Sequence, residues 1–204
     1  MLWWNDTSLA VLSRPGLHGD FRLERMPIDG GARTTIVARN MVGVALSPDR
    51  RWLAYIPVNK AAPDVGINFA QRAAVGIGLA RVGSTGQPFL YVPRLPGVTG
   101  SVAFSPKGDY LEFVQFLNDT NRDGAIDGDD NAVLFRVSFR AGAPSPIWDD
   151  DEPEQLTSAR WDCHYPAPAK TQMIASCSHE GSLDVYSLPL EGAVPAEWDN
   201  ARLV

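Results

Sequence analysis

The chain has 204 residues, 45% of them hydrophobic and 21% charged, with a formal net charge of −6. A chain of this size buries a sizeable core, and its acidic balance argues against a nucleic-acid partner, because phosphate binding needs a cationic face. No stretch approaches the ~18 uninterrupted apolar residues of a membrane span, and the start Met1-Leu2-Trp3-Trp4-Asn5-Asp6 lacks the basic and apolar regions expected of a signal peptide.

Taken in chain order, the sequence repeats one pattern four times. Each copy opens with a short apolar strand, a polar turn and a second apolar strand. The copies are Leu2–Ser13, Val44–Ile56, Val102–Val114 and, more weakly, Ala159–Ser176. In the second and third copies Pro48 and Pro106 end the first strand by removing a backbone donor, and the Asp or Gly beside them favours a tight reversal. A third strand ending in a Gly-containing turn follows in each copy, at Phe21–Gly31, Gly78–Gly86, Val133–Gly142 and Leu183–Gly192. Short fourth strands are expected at Thr35–Ala38, Phe89–Val92, Pro146–Trp148 and Ala196–Trp198.

First strands begin near residues 2, 43, 102 and 158, so the bare unit is about 41 residues long, within the range of a four-stranded propeller blade. The two longer units gain their extra length at one equivalent place, between the second and third strands, at Asn59–Ala74 and Asn118–Asn131. A repeat fold tolerates insertions in loops and not in strands. Second strands in copies two and three are apolar on both alternations (Trp52, Leu53, Tyr55, Ile56; Leu111, Phe113, Val114, Phe116), which suits a sheet covered on each face. The expected fold is therefore an all-β propeller. Its four antiparallel blades fall at about 2–40, 41–98, 99–152 and 156–200. The six Trp residues sit mostly in strand positions and are expected in the blade core.

Ser47-Pro48-Asp49-Arg50-Arg51-Trp52-Leu53-Ala54-Tyr55 and Ser105-Pro106-Lys107-Gly108-Asp109-Tyr110-Leu111 resemble the S-P-D-G-x-x-L-A-F signature of TolB-like propeller repeats. Copy one lacks the Pro, and copy four replaces the turn with Cys163-His164-Tyr165-Pro166-Ala167-Pro168. The resemblance implies a ring usually larger than four blades, a periplasmic or extracellular setting, and a protein-binding or scaffold role. The same repeats occur in the propeller of prolyl oligopeptidase-type hydrolases, where they gate a separate catalytic domain. That gives an alternative reading.

The strongest chemical signal is the acidic loop Asp119–Asp130, which fits D-x-[DN]-x-[DN]-G with an oxygen side chain at position nine and a carboxylate at twelve. Asp119, Asn121 and Asp123 would offer side-chain oxygens to calcium, Ala125 its carbonyl, Asp127 a direct or water-borne ligand, and Asp130 the closing carboxylate. Gly124 is where such a loop turns sharply. Asp at position twelve, in place of Glu, resembles the dockerin-type loop, while the flanks Val114–Leu117 and Ala132–Val137 read as strands and not helices. A calcium loop grafted on a β-hairpin is expected, with a stabilising role.

Other signals are weaker. Asp149–Glu154 is acidic but has no ligand spacing and is expected to be an exposed interblade loop. His18, His164 and His179 are scattered, and Cys163 and Cys177 leave both a bridge and free thiols open. No G-x-S-x-G elbow or dinucleotide fingerprint is present, so an enzyme is not expected.

Overall fold

The computed structural model describes residues 2–13, 21–37, 41–57, 76–84, 88–148, 150–179, 181–189 and 201–204. Sixteen strands form four antiparallel sheets of four, each in sequential order and with no helix among the described residues. Blade one contains β1 (Leu2–Asn5), β2 (Ser8–Ser13), β3 (Arg22–Pro27) and β4 (Thr34–Val37). Blade two contains β5 (Met41–Leu46), β6 (Trp52–Pro57), β7 (Ile77–Arg81) and β8 (Phe89–Tyr91). In blade three the strands are β9 (Val98–Phe104), β10 (Tyr110–Phe116), β11 (Ala132–Ser138) and β12 (Glu154–Gln155). In blade four they are β13 (Asp162–Pro168), β14 (Gln172–His179), β15 (Ser182–Pro189) and β16 (Arg202–Leu203).

Period-two alternation explains how the blades stack. On β6, Trp52, Ala54 and Ile56 face blade three, while Leu53 and Tyr55 face blade one. On β10, Leu111 and Phe113 face blade two, whereas Val114 and Phe116 face blade four. Three buried clusters result, one between each consecutive pair of blades. The central one is aromatic: Phe113 lies 5.9 Å from Phe135 and 6.3 Å from Tyr91 between ring centroids. Burial of both faces of the middle blades is what the doubly apolar second strands require.

The S-P-D-G turns are near copies of one another. The Ser47 hydroxyl accepts from the Trp52 amide at 2.9 Å, and the Ser105 hydroxyl accepts from the Tyr110 amide at 3.0 Å. Arg50 and Gly108 occupy the same left-handed position, at φ 59° and 72°.

Three expectations are corrected. The fourth strand of blade three is Glu154–Gln155, not Pro146–Trp148. Residues 141–148 form a loop closed by a bidentate Arg140–Asp151 pair, with Ile147 buried in the central cluster, so they never reach β11. The acidic run is consequently no simple exposed loop: Asp151 pairs with Arg140, and Glu154 lies in β12 and pairs with Arg136. In blade four β15 pairs with Arg202–Leu203, past the expected edge of the blade. Ala196–Trp198 lie outside the described residues, as does the insertion at 59–74. Of the Trp residues, Trp52 and Trp161 are core, but Trp148 is half exposed, with the Arg140 guanidinium 3.9 Å from its ring.

Cys163 and Cys177 form a disulfide. They stand directly opposite each other on β13 and β14 and are fully buried in the cluster between blades three and four. On the face of blade four away from blade three, Leu183 and Val185 of β15 are 62% and 46% exposed, and Tyr165, in the register shift of β13, is 73% exposed.

Candidate functional site

The acidic loop joins β10 to β11 at the hairpin tip of blade three. Both ends are held by the core below it, since Phe116 pairs with Ala132 across the hairpin and Ile126 packs against the cluster shared with blade four. Gly97, at φ 84°, passes under the loop so closely that a Cβ there would stand 1.8 Å from the Phe116 carbonyl oxygen and 3.0 Å from Ile126 Cγ2. Glycine is required at that crossing.

Within the loop, Asp130 is the organising group. It is buried, its Oδ1 accepts from the amides of Thr120 (2.6 Å) and Asn121 (3.2 Å), and its Oδ2 accepts from the Asp127 amide (2.9 Å). Burial opposes ionisation of Asp130, but the amides of Asp127, Thr120 and Asn121 and the Thr120 hydroxyl outweigh it and hold the carboxyl below its usual range. The first turn is wound on Asp119, whose Oδ1 accepts from the Asp123 amide at 3.1 Å and whose Oδ2 accepts from the Gly124 amide at 2.9 Å. Asn121 and Asp123 each accept from the amide two residues on, at 2.9 Å in both cases. Asp127 Oδ1 likewise accepts from the Asp129 amide at 2.9 Å. Gly124 takes φ 92°, the sharp turn expected of it, and Arg122 is also left-handed at φ 64°.

The predicted residues thus fold back on one loop, with Asp130 closing it. Asp119, Asn121 and Asp123 are brought together on the first turn. Among the described residues, however, no three Asp, Glu, His or Cys side chains are grouped as they would be around an ion. The carboxylates are turned to the loop's own amides. Each carboxylate has about four lone-pair sites and uses only some of them on these amides, so the set still offers oxygens to a hard cation.

Two supports lay outside the motif. Thr120 contributes a hydroxyl to Asp130 (3.1 Å) and accepts from the Asn131 amide (2.8 Å), closing the neck of the loop. Asp162, on β13 of the next blade, accepts from the Ala132 amide at 3.0 Å and bonds His164 at 2.7 Å. Burial works against ionised Asp162, and the His164 and Ala132 hydrogen bonds more than offset it, lowering its pKa. Only the packing of blade four beside blade three reveals that link. His164 is thereby paired with Asp162, and the two cysteines with each other.

No protein-family model matches the chain, and no curated protein matches it in sequence. Solved structures do match in shape. A TolB structure from Agrobacterium tumefaciens aligns with 96% of this chain at TM-score 0.60 and 13% identity, the chain spanning 59% of that protein. TolB from Acinetobacter baumannii aligns with 90% of this chain at TM-score 0.56 and 18% identity, over 39% of its own length. A prolyl endopeptidase structure covers all of this chain at TM-score 0.58 and 12% identity, over 28% of its own length. At such identities the likeness is one of fold, and the fold is that of a β-propeller of the kind seen in TolB, with four blades in this chain.

Proposed function

We propose that the chain is a calcium-stabilised β-propeller module, without chemistry of its own, that binds a protein partner in the periplasm or outside the cell. The observation that carries the calcium part is the loop Asp119–Asp130. It matches the ligand pattern at each side-chain position, and its backbone is already coiled, with buried Asp130 drawing its two ends together. Calcium takes six to eight oxygens, and millimolar concentrations outside the cytosol fill even a modest site. The Cys163–Cys177 disulfide supports an oxidising compartment. An exposed apolar face on blade four, carrying Leu183 and Val185, supports a protein partner, because soluble domains seldom leave such faces to water.

Thermal melts of wild type and Asp123→Ala, each with calcium and with chelator, test the proposal. Calcium at about a hundredfold excess over its dissociation constant stabilises wild type by about 2.7 kcal/mol and the variant far less. Four equal melting temperatures would remove calcium from the account.

A second reading has one observation in its favour: the prolyl endopeptidase structure covers the whole chain. In that reading this is the propeller of a hydrolase whose catalytic domain is encoded alongside it. A G-x-S-x-G segment in the adjoining coding sequence would decide for it.

A further inference from the structure

The blade interfaces differ at one level, that of the S-P-D-G turns. Between blades two and three this level is dry. Trp52 and Ala54 of β6 pack toward Phe104 and Phe139, with Phe139 5.6 Å from Trp52 and 5.0 Å from Phe104. The matching positions of the next copy are Tyr110 and Glu112 on β10, which face blade four. There the turn Ala169–Thr171 of blade four lies across from them. A crevice of about 120 Å³ remains, walled by Tyr110, Glu112 and Arg136 from blade three and opening between Lys107 and Lys170 on the two turns.

Glu112 sets the chemistry of this crevice. It is 1% exposed, and its Oε2 has no hydrogen-bond partner among the described residues. A buried polar atom left without a partner is costly, and such atoms in a folded protein call for an explanation. The cross-strand neighbour Arg136 is spoken for, since its guanidinium grips Glu154 at 2.6 and 3.0 Å and lies over the Tyr110 ring at 4.8 Å. Burial pushes the Glu112 pKa up most; Arg136 opposes and Asp109 adds to it, and the group ends at about 8. At neutral pH Glu112 therefore carries its proton and is a hydrogen-bond donor, not a counter-ion.

The charges around it favour an anion. Lys107 and Lys170 stand exposed at the mouth, one from each blade. The other acid in the wall, Asp109, accepts the Ser105 hydroxyl at 2.7 Å and offsets one of the two lysine charges, and Glu154 balances Arg136, which leaves one positive charge in excess. A molecule of net charge −6 gathers no anions by default, so a local cationic mouth over a buried donor is selective. A volume of about 120 Å³ admits a handful of heavy atoms, at roughly 30 Å³ for each water-sized group.

We propose that this crevice binds a small oxyanion, a carboxylate or phosphate-type group, held by Lys107 and Lys170 from two blades and by the Glu112 carboxyl group from below. The site is independent of the acidic loop, which lies at the opposite end of β10.

Titration calorimetry with sulfate and with acetate, against chloride at equal ionic strength, tests it. Both probes keep their charge from about pH 6.5 to about pH 9, so any change of affinity over that span belongs to the protein. Wild type is expected to bind one or both oxyanions at about pH 6.5 and to lose about tenfold in affinity by about pH 9, as Glu112 ionises. Glu112→Gln keeps a neutral donor and should bind at both pH values, whereas Lys107→Ala/Lys170→Ala, altered only at exposed positions, should lose binding. Preference for sulfate marks a phosphate-type ligand and preference for acetate a carboxylate; either supports the site. Equal heats with chloride and both oxyanions, or undiminished binding by the double lysine variant, would overturn it.

Discussion

Arg50 is a flaw in an otherwise regular turn, and removing it should stabilise the protein. In Ser47–Trp52 and Ser105–Tyr110 the fourth residue donates its amide to the serine carbonyl, at 2.8 Å for Arg50 and 2.9 Å for Gly108. Both sit in the left-handed region, at φ 59° and 72°. Glycine enters that region freely, whereas an L-residue with a Cβ is disfavoured there by about 1–2 kcal/mol. The Arg50 side chain is exposed, so packing offsets little of this. Against the gain stands the extra freedom of glycine in the unfolded chain, about 0.4–1 kcal/mol. Arg50→Gly should therefore stabilise by about 0.5–1 kcal/mol, which is about 1–4 °C for a chain of this size. Gly108→Ala should lose about 1 kcal/mol or somewhat more, because its new Cβ would also stand 3.3 Å from Pro48 Cδ. Urea denaturation reads both as shifts of midpoint at constant slope. A destabilised Arg50→Gly, or a Gly108→Ala with an unchanged midpoint, would show that the two turns are not equivalent in energy.

Reduction of the Cys163–Cys177 bridge, or Cys163→Ala/Cys177→Ala, frees a loop whose ends lie 14 residues apart and should cost about 3 kcal/mol, seen as a lower melting temperature with dithiothreitol in wild type alone. Glu112 sets a pH dependence of opposite sign to that of the usual salt-bridged acid. It keeps its proton in the fold up to about pH 8 but loses it near 4.5 when unfolded, so stability falls as pH rises between those values and levels off above. Glu112→Gln should flatten that part of the stability profile, and an unchanged slope would show that Glu112 ionises in the fold as freely as outside it.

Hairpins were readable in the sequence because each has a local cause. Pro48 and Pro106 end a strand by lacking a donor, and the apolar run after each turn is long enough to show its period. Fourth strands were not readable where they are two residues long and owe their existence to a neighbour. Glu154–Gln155 pairs only at Phe135 and Arg136, and nothing in the local composition separates it from Pro146–Trp148, which a tertiary contact between Arg140 and Asp151 turns into a loop. The disulfide was equally out of reach. Its partners face each other only because β13 and β14 pair with a register shift between His164 and Ala167, and spacing along the chain does not encode that shift. The acidic loop lies between these cases. Its pattern predicted the sharp turn at Gly124, but it carries no sign that Asp130 is turned to the amides of Thr120, Asn121 and Asp127, or that Thr120 and Asp162 accept from the backbone at Asn131 and Ala132.

The apolar strand β10 conceals the most informative pair of residues in the chain. Leu111, Phe113, Val114 and Phe116 make the segment look dry on both faces, yet Glu112 and Gln115 interrupt it, one on each face. Gln115 looks toward blade two, and both its polar atoms are partnered: its carbonyl accepts from Thr99 at 3.0 Å, its amide donates to the Pro96 carbonyl at 2.8 Å, and Thr99 in turn accepts from Gly76 at 3.3 Å. A buried amide whose oxygen and nitrogen both have partners ties two blades together. Glu112 looks toward blade four with one oxygen unpartnered beside an open crevice. Both residues are fully buried and stand three positions apart on the same strand, so burial and composition do not separate them. Bond count does. Gln115 is thereby structural, and Glu112 is the group whose missing bond a ligand oxygen can supply.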